Sequence, residues 1–294
     1  MRYITPEHPS GDNAGADRLM FQASRNTTQA RTLFGTFDLV FHTTVYNIRK
    51  SHRNAMAGLV LNVVQTLILL GVFYLMFTVL GFQEMRMIHG ADMLLFLMSG
   101  IFPFMIHTKT VSGIVRAEGP TSPMMQHAPL TTFVTIGSAA LGSLYLQFLS
   151  MFVVLFLYHV LWTPVHIAQP VGALAMLMLS WISGIGVGIV FFALRPWAPD
   201  AIGLGASIYS RLNMVMSGKM FVANTLPGYM LVMFDWNPLF HTIDQLRGFM
   251  FINYNPHFSS PTYALWVALA LIMIGLLIES RTRRHASISW MAGR

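Results

Sequence analysis

Residues 200–247, DAIGLGASIYSRLNMVMSGKMFVANTLPGYMLVMFDWNPLFHTIDQLR, decide the architecture. The first part, 201–222, reads as a membrane-spanning helix with two cations, Arg211 and Lys219, and it leads to Leu226-Pro227-Gly228. A second apolar piece, too short to cross a bilayer, runs into Trp236-Asn237-Pro238-Leu239-Phe240-His241 and ends at Asp244 and Arg247. A helix followed by a half-length segment predicts backbone that enters the bilayer and returns, which is tolerated only inside protein or beside a water-filled cavity. Counted from Asp200 at 1.5 Å per residue, Arg211 lies about 16 Å along, near the midplane. A cation at that depth needs a partner or a wet path, so Arg211 is a functional candidate. A bond to carbonyls of a neighbouring helix and a place on an anionic pathway stand level for it. Ser207 shares its face one turn below and Tyr209 is nearby, which suits a polar lumen. Lys219 falls at the outer interface, where snorkelling is the leading reading.

The flanking sequence agrees with a membrane setting. The 294 residues are 54% hydrophobic and 10% charged, whereas a soluble domain carries about 25% charge. The net charge of +7 then records orientation rather than nucleic-acid binding. Residues 1–28 are polar and expected to form a disordered tail. They lack the apolar core of a secretory signal, so the first span does the targeting. From 29 to 56, Leu33, Phe34, Phe37, Val40, Phe41, Val45 and Ile48 recur near helical spacing opposite Arg31, Asp38, His42, Thr43 and Arg49. That pattern predicts an amphipathic helix at the membrane interface, with Arg49, Lys50 and Arg53 at the lipid headgroups. Six spans follow within 57–280, at 57–81, 92–111, 131–162, 171–194, 201–222 and 263–278, each near the length that hydrocarbon requires. The chain is therefore expected to be an all-α polytopic membrane protein, with a re-entrant segment at 224–252 and a basic tail at 281–294. With the N-terminus inside, Arg116, Arg195, Arg281, Arg283 and Arg284 also fall inside and only Arg86 and Arg247 in outer loops, which places both termini in the cytoplasm.

Several chemistries are excluded. Cysteine is absent, so disulfides, thiolate metal sites and cysteine nucleophiles are ruled out. No Gly-x-x-x-x-Gly-Lys-[Ser/Thr] phosphate loop and no His-Glu-x-x-His occurs, and His241 with Asp244 is a helical pair of the kind that stabilises a turn. No metal site is expected. Asp92 and Asp200 sit at helix ends, so a proton or sodium relay through the spans is poorly supported. Two connections stand out on the inner side: 116–131, with Arg116, Glu118 and His127, and the tight Arg195-Pro196-Trp197-Ala198-Pro199-Asp200, where Asp200 is placed to cap the next helix. Ser180, Gly184 and Gly188 repeat every fourth residue, a stripe that lets another helix approach closely. The 22 methionines read as adaptable packing residues.

The residues of the opening stretch resemble a known family, the permease subunits of type-2 ABC exporters that move capsular polysaccharide and O-antigen. Leu226-Pro227 followed by Asn237-Pro238-Leu239-Phe240-His241-Thr242-Ile243-Asp244-Gln245-Leu246-Arg247 looks like the family's Leu/Ile-Pro and Asn-Pro-Leu-x-His-x-Ile-Glu-x-x-Arg, with Asp244 in place of the usual Glu. Met216-Ser217-Gly218 resembles the Ser-Gly that ends the family's fifth helix. Gly58-Leu59 at the first span fits too. His52-Arg53 stands where Arg/Lys-Tyr is common, the first span lacks Trp and Pro, and Lys219 replaces an apolar residue.

The resemblance implies a homodimeric channel in the bacterial inner membrane with two cytoplasmic ATPase subunits that hold the ATP and Mg, so that this chain has no cofactor and no catalytic residue of its own. It implies periplasmic and outer-membrane polysaccharide export proteins as further partners beside membrane lipids. Coupling to the ATPase would fall to Arg116, Glu118, His127, Arg195, Trp197 and Asp200. A periplasmic gate would involve Pro227, Trp236, Asn237, Pro238, His241, Asp244 and Arg247. The expected cargo is lipid-linked capsular polysaccharide, with Arg211, Lys219, Ser207, Tyr209, Tyr145, Tyr158 and Trp162 on its path and Tyr254 a further aromatic with a polar tip. An exporter of O-antigen, teichoic-type polymer or a small lipophilic drug is the alternative, and a membrane enzyme using His241 and Asp244 as acid and base is the third.

Overall fold

The computed structural model describes residues 35, 38–45, 55–81, 88, 91–117 and 132–291, and among them there is helix and no strand. After a helical stretch at 38–45 the elements are α1 (Ala55–Val79), α2 (Met93–Val115), α3 (Thr132–Leu161), α4 (Pro170–Leu194), α5 (Pro199–Met216), a 3-10 turn (Ala223–Thr225), α6 (Gly228–Phe234), α7 (Pro238–Met250) and α8 (Pro261–Met291). Five of these, α1 to α4 and the Pro261–Thr282 part of α8, are long and apolar enough to cross a membrane. The chain is thus a polytopic membrane protein. The last helix, α8, continues beyond residue 281 into the basic segment and runs to Met291. Residues 1–28, Arg49, Lys50, Arg53, Glu118 and His127, for which the sequence raises expectations, lie outside the described residues.

Two helices form the centre. The apolar window of α2 is 83% buried, against 17% for both α1 and α8. The stripe of small residues on α4 faces α2: a Cβ on Gly184 would lie 2.8 Å from His107 O, and one on Gly188 3.0 Å from Ile114 Cβ. Close approach continues on the other side of α4, where a Cβ on Gly186 would lie 2.9 Å from Ala268 O and one on Gly275 2.7 Å from Ile189 Cγ2. Helix α4 is therefore sandwiched between α2 and α8 at distances only glycine allows. The N-terminal stretch buries Val40 and Thr44 while Phe41 is exposed. Val40 lies against Gly137 of α3, so part of the apolar face predicted for lipid packs on the bundle.

The ends of the bundle differ. At one end, here the arginine end, Arg195 Nη1 donates to Val115 O (2.9 Å) and Ala117 O (3.4 Å), supplying the last carbonyls of α2 with a cation as helix C-termini favour. Beside it Trp197 Nε1 donates to Thr282 Oγ1 (3.0 Å), which donates to Ala193 O (3.1 Å). Asp200 does not cap α5: the N-cap is Ala198, without a side-chain bond, and Pro199 takes the first helical position. Asp200 lies in the first turn, where its charge favours the positive end of the helix dipole. At the opposite end Asp92 caps α2 by accepting from Leu94 N (3.2 Å) and also accepts the Tyr158 hydroxyl.

Candidate functional site

The site is built where α5 stops. Gly218 adopts φ +71°, the left-handed conformation that ends helices and that glycine takes without strain. The Ser217 amide donates to Asn213 O at 3.1 Å, and the chain then turns away from the helix axis. The span expected over 201–222 therefore closes at Met216. Its turn tucks against α2: a Cβ on Gly100 would come within 2.7 Å of Lys219 O and 2.8 Å of Lys219 Cβ. Gly100 lies about 10 Å along α2 from Met93 at 1.5 Å per residue, so α5 ends inside the bundle.

Carbonyls released from a helix must find donors when buried. Arg247 provides them. Its Nη1 donates to Gly218 O (3.2 Å) and Phe221 O (2.6 Å), Nη2 to Lys219 O (2.6 Å), and Nε to Ser99 Oγ (3.3 Å). The guanidinium also stacks 4.2 Å from the Phe96 ring. Placing Arg247 in an outer loop was wrong: it is 1% exposed. The planar fork of arginine suits three carbonyls of one turn, which a lysine could not reach together.

The other residues of the 236–247 motif divide between two tasks. Asn237 caps α7, its Oδ1 accepting from Leu239 N (3.0 Å), while its Nδ2 donates to Asn213 Oδ1 (2.8 Å) and Met216 O (3.0 Å). One side chain thus starts α7 and ties it to the end of α5. Thr242 meets Ser180 of α4 at 3.3 Å. His241 and Asp244 face the loop before α8. The Ser260 amide donates to His241 Nδ1 (3.1 Å), so Nε2 carries the proton and donates to Asp235 O (2.7 Å). Asp244 accepts from Ser259 Oγ (2.6 Å) and from the Tyr254 hydroxyl. Burial first, and then the neighbouring Asp244 carboxylate, hold that hydroxyl well above the usual tyrosine range, so it stays a donor. Gln245 adds a bond to Ser259 O (2.9 Å). Pro227 precedes α6 at its N-cap. Trp236 is exposed and donates to Met233 O (2.7 Å).

Lys219 does not snorkel. It is 1% exposed, with its Nζ 3.4 Å from the centre of the Phe104 ring and 5.0 Å from that of Phe73. Among the described residues its ammonium has no hydrogen-bond acceptor. The turn at Gly218 is the cause, because it directs the chain inward where a continued helix would have carried Lys219 to the interface.

The remaining pathway candidates do not converge. On α5 only Ala206 and Asn213 are buried, and Ser207 and Arg211 open outward with Leu204, Ile208, Leu212 and Val215. Tyr209 points the other way. Its hydroxyl donates to His107 Nε2 (2.8 Å), while His107 Nδ1 donates to Ser183 Oγ (2.9 Å), whose own proton goes to Ser180 O (2.8 Å). Tyr158 is buried against Asp92 and Thr163 at the far end of the bundle. Tyr145 and Trp162 are exposed on and just beyond α3. His107 was missed; a histidine inside an apolar span was the available signal. Among the described residues no group of three His, Asp or Glu could hold a metal.

No family model matches the chain. Two Escherichia coli proteins, each described as polysialic acid transport protein KpsM, are 25% identical to it over 227 residues, which cover 76% of this chain and 83% of each of theirs. The likeness bears out the resemblance drawn from Pro227 and residues 236–247: the chain is similar to polysaccharide transport proteins.

Proposed function

We propose that two copies of this chain form the inner-membrane channel through which a lipid-linked, acidic capsular polysaccharide leaves the cytoplasm, driven by two separate ATPase subunits. The observation that carries this reading is the outward face of α5. Arg211 is exposed there about 18 Å from the start of the helix at 1.5 Å per residue, and no described residue pairs with it. An arginine facing lipid at that depth is disfavoured by at least about 2.5 kcal/mol. A second copy of the chain with water and an anionic cargo between the two removes that penalty. The likeness to a polysialic acid transport protein supports an acidic polymer as cargo.

In this reading α5 is the sixth crossing, completed by a re-entrant pair. Two contacts support it: Gln169 N donates to Phe249 O at 2.9 Å near the start of α4, whereas Thr242 meets Ser180, about 15 Å further along α4 at 1.5 Å per residue. Helix α7 thus rises from depth toward that end, and Asn237 and Arg247 fix the gate. Both termini lie in the cytoplasm, and the ATPase engages the arginine end through Arg116, Arg195, Trp197 and Asp200. Periplasmic and outer-membrane export proteins take the polymer onward. Affinity purification of the full chain from its native membrane tests the reading. Recovery of a nucleotide-binding ATPase at about one copy per permease, and loss of surface polysaccharide when the chain is deleted, are expected. A chain that works without such a partner would overturn it.

A further inference from the structure

Two polar atoms of the turn after α5, Ser217 Oγ and Lys219 Nζ, are buried and have no hydrogen-bond partner among the described residues. The carbonyls of residues 218, 219 and 221 are committed to Arg247, so the acceptors nearest Lys219 in sequence are already occupied. Its ammonium is met by two aromatic faces, Phe104 at 3.4 Å and Phe73 at 5.0 Å. Such faces attract a cation but do not replace hydration, and an unpaired ammonium away from water is strongly disfavoured. The two walls of this cage differ. Phe104 belongs to the central helix α2, whereas Phe73 belongs to α1, which buries little beyond Gly58 and the stripe Thr66, Leu70, Phe73 and Phe77. An outward shift of α1 therefore opens the cage on the Phe73 side and leaves the Arg247-held turn in place.

We propose that Lys219 is a cation withheld in this arrangement and presented to the export path when α1 parts from α2, where its ammonium binds an acidic group, a sugar carboxylate or a lipid phosphate. This rests on the export reading above. Because the chain has no cysteine, a single thiol can report the change. In the full exporter with its ATPase in vesicles, the thiol of the Lys219→Cys variant is expected to react with a membrane-impermeant maleimide several-fold faster during ATP turnover than at rest. Lys219→Met is expected to melt above the parent, because an unpaired charge is gone, while surface polysaccharide falls; Lys219→Arg keeps export. To separate the two ligand sources, an acidic oligosaccharide without lipid and vesicles containing phosphatidic acid are each added to the purified chain. The ligand is the one that raises the melting temperature of the parent but not of Lys219→Met. Equal labelling in both states, parental export by Lys219→Met, a destabilised Lys219→Met, or no differential stabilisation by either anion would overturn the proposal. Retention of surface polysaccharide in a strain lacking the chain would contradict the export reading instead.

Discussion

Arg247 and Lys219 are both 1% exposed and sit on either side of one turn, yet their surroundings are opposite. Arg247 donates to four acceptors and rests on Phe96. Lys219 has two aromatic rings and no acceptor. Burial alone therefore does not assign a role to a cation in this bundle. A cation whose N–H groups answer three released carbonyls and a hydroxyl holds structure together, because removing it strands those carbonyls. A cation without an acceptor contributes nothing comparable to the resting fold, and its presence asks for another state in which it is met.

The comparison can be broken first at Arg247. Arg247→Ala strands the carbonyls of 218, 219 and 221, and with each unsatisfied buried group worth about 1–3 kcal/mol the loss should reach about 3 kcal/mol or more. Thermal melting in detergent and the yield of folded chain check it; a parental melt would mean that water or the turn itself satisfies those groups. Next comes the support for both cations. Gly100→Ala places a methyl 2.7 Å from Lys219 O and should destabilise by about 1–3 kcal/mol, since backbone on both sides cannot yield. The same melt measures it, and Gly71→Ala, where nothing lies within 4 Å, serves as the neutral control. The smallest effect belongs to the far end of α7. Tyr254→Phe removes the bond to Asp244 for about 1–2 kcal/mol. With the hydroxyl of the folded chain held above the usual range, the unfolded chain loses its proton first, near pH 10. The contribution of Tyr254 is then intact below about pH 10 and fades as pH rises. Melting temperatures of parent and variant should keep their gap up to about pH 10 and converge as pH rises above it, and a constant gap would contradict the assignment.

Much of the architecture was legible in the sequence because membrane helices announce themselves by length and apolarity. The 171–194 span and its small-residue stripe became α4 with Gly184 and Gly188 pressed on α2. The Ser217-Gly218 pair did end a helix, and the 236–247 motif did form one. What could not be read was depth. Counting residues from Asp200 put Lys219 at an interface, but a single residue at φ +71° turned it into the bundle. Arg247 looked like a loop cation because its partners are three backbone carbonyls and a serine hydroxyl, which no residue type in the sequence announces. His107 escaped notice for a related reason: its partners, Tyr209 and Ser183, come from helices far away in the chain. Asp200 was read as a cap from its residue type, and Pro199 took the first helical position ahead of it.

The central claim is that the outward face of α5 borders a wet path for an acidic polymer. It is tested most directly by single thiols on the assembled exporter in cells, one at Arg211 on the exposed face and one at Ala206 on the buried face. A charged, membrane-impermeant maleimide should label the Arg211→Cys variant despite its depth and leave the Ala206→Cys variant unreacted. An unreactive thiol at 211 would place that face in lipid or in a dry contact and contradict the account.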